Sequence, residues 1–189
     1  MVLLGVDPGL AATGWGLVQS TGPRPASLGY GCLRTSAGEE LGVRLLTIHD
    51  AIAGLLREHR PAALALERLY QLRDGSTGLA VGQAVGVIRL AAAQAGVPVA
   101  EYTPTHVKMT IVGHGQAEKH QVQFMVQRLL NLDELPRPDH AADALALSLT
   151  HLFSGLSRAQ APSAAATLAP PGGAAPLPDR LAQALAADD

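Results

Sequence analysis

Asp7, Glu67, His140 and Asp143 are the residues whose types and positions point to chemistry. Asp7 closes the apolar run that starts at Val2 and is followed by Pro8-Gly9. Glu67 closes a second apolar run that starts at Ala62. His140 and Asp143 stand three apart at the start of a helical pattern, so both project from nearly the same face. Residues at element ends can be held rigidly, and three carboxylates and an imidazole from distant parts of the chain can meet at one point. Unpaired carboxylates repel each other, so such a cluster needs divalent cations. Hard oxygen ligands with one imidazole suit Mg²⁺ or Mn²⁺, and two such ions about 4 Å apart form the clamp used for in-line displacement at phosphorus. Each residue also has a plainer reading. Asp7 before Pro-Gly can be a turn former, Glu67 a surface strand end paired with Arg68, and Asp139 or His140 a polar residue at a helix start. The chemical reading gains its force from the four together and in this order.

The elements that must position them follow from the apolar patterning. Val2 to Asp7, Thr13 to Ser20 and Ala26 to Thr35 read as three strands, with Gly22-Pro23 and Pro25 in the second connection. An antiparallel meander is the expected arrangement. Leu41, Leu45, Ile48, Ile52 and Leu55 then recur at steps of four and three, the apolar stripe of a helix over about Glu39 to His59 that ends at Pro61. Ala62 to Glu67 is a fourth strand and Val97 to Tyr102 a fifth. Between them residues 76–95 form a helix poor in charge, with Gly78, Gly82 and Gly86 on one face. Glycine costs helix stability, so close packing is expected there, onto the chain's own sheet or alternatively across a dimer. Val122, Met125, Val126, Leu129 and Leu130 mark a helix from about Ala117, and Asp139 to Phe153 marks the last one, with Pro138 at its start.

Length and composition agree with one α/β domain over residues 1–156. The 189 residues are 48% hydrophobic and 16% charged, enough for a folded core. Residues 157–189 are rich in Ala, Pro, Ser and Gly and contain Pro170-Pro171-Gly172-Gly173, so a disordered tail is expected, either a plain linker or a partner contact near Leu177 to Leu185. No apolar stretch reaches membrane-spanning length, and the start has neither a basic leader nor a cleavage site. The one cysteine, Cys32, allows no internal disulfide, so a cytoplasmic protein is expected. The formal charge of −2 neither supports nor excludes a nucleic-acid partner: residues 1–158 hold 13 of the 14 Lys and Arg and 13 of the 16 Asp and Glu, and net to zero. Masking Asp7, Glu67 and Asp143 with cations would turn that segment positive, and only clustering in space decides what it binds.

The sequence resembles the RuvC-type Holliday-junction resolvases. The likeness is carried by Gly5-Val6-Asp7-Pro8-Gly9 with Thr13-Gly14-Trp15-Gly16, by Leu66-Glu67-Arg68-Leu69-Tyr70, by Gly82-Gln83-Ala84-Val85-Gly86 and by Tyr102 with Val107-Lys108. Val112 to Lys119 and His140-Ala141-Ala142-Asp143-Ala144-Leu145-Ala146 complete it, over about residues 2–153. The resemblance implies a ribonuclease-H-like fold, a five-stranded mixed sheet flanked by helices. It implies a homodimer that binds four-way junction DNA and nicks two strands of like polarity, leaving 5′-phosphate and 3′-hydroxyl ends. RuvA–RuvB-type branch-migration proteins are the implied partners. Asp7, Glu67, His140 and Asp143 match the family's four metal-binding catalytic positions. Where the family often carries Asp, this chain has His140. One negative charge fewer and a nitrogen ligand favour Mn²⁺ over Mg²⁺. His140 can equally serve as a general base, and Asp139, about 100° round the helix, is an alternative ligand.

Tyr70 lies where the family has an aromatic near the scissile position, and such a ring can stack on an unpaired base. Lys108 and Lys119, the only lysines, fall in family-like blocks and are expected to touch phosphates, with Arg73 and His114 as weaker candidates. Three rivals stand against this reading. A sugar-kinase or actin-like ATPase shares an Asp-Gly-Thr loop but needs a second similar half. The other two are a non-catalytic junction-binding module and another ribonuclease-H-like nuclease, acting on hybrids or flaps.

Overall fold

A computed structural model describes residues 1–21, 24–68 and 75–159. The strands are β1 (Val2–Asp7), β2 (Ala12–Gln19), β3 (Ala26–Arg34), β4 (Ala63–Glu67) and β5 (Val99–Tyr102). The helices are α1 (Leu41–His59), α2 (Gly75–Gln94), α3 (Pro104–Val112), α4 (Lys119–Leu130) and α5 (Asp139–Ala159). They build one five-stranded sheet in the order β3-β2-β1-β4-β5. The first three strands form the expected antiparallel meander, while β1–β4 and β4–β5 pair in parallel. The sheet is therefore mixed, and the carboxyl ends of its parallel strands share one edge.

Alternation along each strand divides the residues between two cores. Leu4, Val6, Leu17, Leu64 and Leu66 face α1 and α2, where Ile48, Ile52, Leu56 and Ile88 complete a dry aliphatic layer. Leu3, Val18 and Ala63 face the other way, toward Ile111, Val126, Leu145 and Leu149 of α3, α4 and α5. By the same alternation Asp7 and Glu67 belong to the α5 side.

The helix α3 goes beyond the elements read from sequence. Thr103 caps it, accepting from the His106 N–H at 3.1 Å, Pro104 occupies its first turn, and Gly113 ends it at φ 96°. These are ordinary start and stop signals, but nine residues with few buried positions give almost no periodicity. A correction concerns the glycines of α2. That helix buries Ala84, Ile88, Ala91 and Ala92. A Cβ placed on Gly82 or Gly86 would meet nothing within 4 Å, so these two do not serve packing onto the chain's own sheet. Helix α5 runs to Ala159, past the boundary expected at 156. Of the tail expected over residues 157–189, residues 160–189 lie outside the described residues, as do Tyr70 and Arg73.

Candidate active site

The close fit of α5 against the meander sets the geometry. Gly5 pairs with Gly16, and Asp7 with Gly14. A Cβ on Gly5 would run into the Ala144 carbonyl, one on Gly14 into the His140 carbonyl, and one on Gly16 would lie 2.8 Å from the Leu145 N. The helix answers with small residues, since Ala141, Ala142, Ala144 and Ala146 are all buried. Ser148 locks the contact by donating its hydroxyl to the Gly16 carbonyl at 2.9 Å. The first turn of α5 is thereby held directly over the end of β1.

There His140 and Asp143 reach Asp7. His140 Nδ1 lies 2.6 Å from Asp7 Oδ2. An ionised carboxylate can only accept, so Nδ1 donates to Asp7, and Nε2 is the ring nitrogen turned toward other partners. Ligand atoms of Asp7, His140 and Asp143 all lie within 4.8 Å of one another. Glu67 stands beside this trio. Val6 pairs with Leu66, which brings the next residues, Asp7 and Glu67, to adjacent strand ends. Asp7, Glu67 and Asp143 line one cavity of about 250 Å³, together with Lys108 of α3 and Lys119 of α4.

The electrostatics are those of an under-neutralised acidic centre. Burial, then the charges of Asp7 and Asp143, push the Glu67 carboxyl up to about 7. Burial also raises the Asp143 carboxyl, against the opposing pull of Lys119. The Lys119 ammonium lies 3.1 Å from Asp143 Oδ2 and 3.3 Å from Asp139 Oδ2. Desolvation works to lower the ammonium, but the Asp143 and Asp139 contacts outweigh it and hold it above its ordinary value. Three carboxylates and an imidazole, sharing one lysine, are a donor set suited to a hard divalent cation.

Of the residues expected at the site, Asp7, Glu67, His140, Asp143, Lys108 and Lys119 converge on it. His114 is exposed between α3 and α4 and does not line the cavity. Asp139, the alternative ligand, turns away: its oxygens meet Gln123 Nε2 at 3.0 Å and Lys119. Arg44, which the sequence did not single out, lines a second cleft beside His140. Its signal was available. It falls four residues before Ile48 and eight before Ile52, on the buried stripe of α1, where a charge needs a reason.

Comparison with known proteins agrees with this geometry. Residues 3–151 match the family model described as crossover junction endodeoxyribonuclease RuvC. Proteins of that name from Moorella thermoacetica and Syntrophomonas wolfei are 51% identical over 151 residues and 49% over 154. The alignments cover 80% and 82% of this chain and 90% of each relative. The Thermus thermophilus RuvC solved in complex with a Holliday junction substrate superposes with a TM-score of 0.81 at 40% identity, covering 84% of this chain and 96% of that one.

Proposed function

The chain belongs to the RuvC family of crossover junction endodeoxyribonucleases, and on that premise we propose that Asp7, Glu67, His140 and Asp143 hold two divalent cations, Mg²⁺ or Mn²⁺, at which four-way DNA junctions are cut. The fold is the ribonuclease-H-like one, and the activity is that of a Holliday-junction resolvase in DNA recombination and repair. The observation that carries the cation reading is the convergence of Asp7, His140 and Asp143 within 4.8 Å, with Glu67 lining one cavity with Asp7 and Asp143.

A cation pair in such a centre supplies Lewis-acid stabilisation of the scissile phosphate and a clamp for in-line displacement. The chain's own residues do the positioning. Asp7 orients the imidazole of His140 through Nδ1, leaving Nε2 to take a cation or a proton. Lys108 and Lys119 border the acidic cavity, where their charge can meet phosphates of the cut strand. Tyr70 is assigned to stacking on a base near the cut, and Arg73 and His114 to contacts with the DNA backbone.

A homodimer fits the two-fold character of a junction, so that paired symmetric nicks follow from symmetry. Its contact is assigned to the outer face of α2, where Leu79 and Leu90 are 62% and 51% exposed and Gly82 and Gly86 leave open space. The partners are RuvA–RuvB-type branch-migration proteins and the setting is the cytoplasm. Among the described residues no helix is long and apolar enough to cross a membrane.

The test uses a labelled four-way junction, a linear duplex of the same sequence, either metal, and Asp7→Asn in parallel. Paired cuts at symmetric positions in the junction alone, absent with Asp7→Asn, are expected. Tight junction binding with no cuts in either metal would replace this reading with a binding module.

A further inference from the structure

Several clefts border the acidic centre, and two of them lie toward opposite faces of the sheet. The first is the cavity with Lys108 and Lys119. The second lies toward the α1–α2 face, between the β1–β2 turn and α2, and is lined by Gly9 to Ala12, Arg44, Ala80, Val81 and His140. Its walls are backbone and apolar side chains, and among the described residues Arg44 is the one Lys, Arg, Asp or Glu that lines it. The guanidinium is held in place rather than loose. Arg44 Nε donates to Thr35 Oγ1 at 2.9 Å, and that hydroxyl donates to the Leu10 carbonyl at 2.5 Å. The Thr35 N–H also ties to the Ala11 carbonyl at 3.2 Å. Among the described residues no carboxylate pairs with Arg44. The nearby Glu40 spends its carboxylate on the Val43 N–H of α1, at 3.2 Å. A guanidinium tethered through Nε keeps its two terminal nitrogens to donate side by side to two oxygens of one anion, and a phosphate offers such a pair.

We propose that Arg44 grips a backbone phosphate of the cut strand on the side of the scissile position opposite the lysines, so that the strand crosses the acidic centre from one cleft into the other. This rests on the reading of the centre as a junction nuclease. A strand fixed on both sides of the reacting phosphate cannot pivot about it, which is what an in-line displacement requires. The tether through Thr35 and Leu10 joins α1, the end of β3 and the β1–β2 turn. The grip and Asp7 therefore sit on one rigid unit.

The experiment measures junction binding without divalent metal, by fluorescence anisotropy across a salt series. Each lost phosphate contact lowers the steepness of log K against log salt by about 0.9. Arg44→Met is expected to lose about that much, and Arg44→Lys, which keeps the charge, to retain the wild-type slope. Arg57→Met serves as a control for general charge loss. It is exposed and lies about 20 Å further along the same helix, from the rise of 1.5 Å per residue. A slope unchanged in Arg44→Met, or lowered equally in the Lys variant, would overturn the assignment and leave Arg44 a structural tie. A second measurement needs no variant. Single methylphosphonates placed along the cut strand are expected to weaken wild-type binding at positions on both sides of the scissile phosphate, and sensitivity on one side only would contradict the proposal. If the wild type itself shows no salt-dependent junction binding, it is the nuclease reading that fails.

Discussion

On the α1–α2 face of the sheet, large side chains meet large side chains: Leu4, Leu17, Leu64 and Leu66 pack against Ile48, Ile52 and Ile88. On the α5 face the same strands present Gly5, Gly14 and Gly16, and the helix lies against their backbone. The first arrangement distributes its fit over many adaptable contacts. The second brings the start of one helix against the backbone of two strands at Gly5, Gly14 and Gly16. The catalytic candidates all belong to the second. What the contrast teaches is that this chain places its chemistry where backbone approaches backbone, because a helix seated on glycine has little room to shift.

A valine at Gly14 is the strongest way to break that comparison. It must displace the first turn of α5, carrying His140 away from Asp7. Junction cleavage is expected to fall by about 10²-fold or more, as a displacement of about 1 Å can cost that much. The matched change on the other face, Ile52→Val, is expected to cost about 0.5–1.5 kcal/mol of stability and leave the cleavage rate unchanged. Urea unfolding and a single-turnover cleavage assay on both variants check this. Equal cleavage by the two proteins would remove the distinction between the faces.

A smaller effect concerns the charge stored at the centre. The Glu67 carboxyl, held up at about 7 in the folded chain, has an ordinary value of 4.5. The native state therefore binds more protons than the unfolded state between those values, and stability falls as pH rises through the window. Above it the full penalty is present. Thermal unfolding in chelator is expected to show the melting temperature dropping from pH 5 to pH 7.5, and Glu67→Gln is expected to flatten that drop while abolishing cleavage. A wild-type profile as flat as that of the variant would contradict the assignment of the strain to Glu67. The smallest effect is the choice of metal. With His140 in the ligand set, Mn²⁺ is expected to support faster cleavage than Mg²⁺, and equal or better rates with Mg²⁺ across a titration would argue against it.

Much of this was legible in the sequence, for identifiable reasons. Asp7 and Glu67 end apolar runs, and His140 and Asp143 open the last helix, so element ends marked the site before any contact was known. Helix α3 was not legible, because nine residues give too few turns for a stripe to declare itself. The glycines that pack within the chain lie elsewhere than on α2. Spacing by four in α2 looks like a helix contact, but the intramolecular contact is made by Gly14 and Gly16, two apart on one face of a strand, opposite Gly5. Arg44 was hidden by its neighbours, since Leu41 and Leu45 drew the stripe and its charge was passed over. Leu41 proves to be 39% exposed, and the buried line runs through Ile48, Ile52 and Leu56 instead.

A cation site differs from a self-sufficient network of His140–Asp7 and Lys119–Asp143 pairs in one measurable respect, its affinity for metal. Titrating metal-free protein with Mn²⁺ by calorimetry, in parallel with Asp7→Asn and Asp143→Asn, tests it most directly. Saturable binding by the wild type and its loss in both variants are expected, with all three proteins equally folded by circular dichroism. Binding of equal strength in the three proteins, or none in the wild type, would contradict the cation reading.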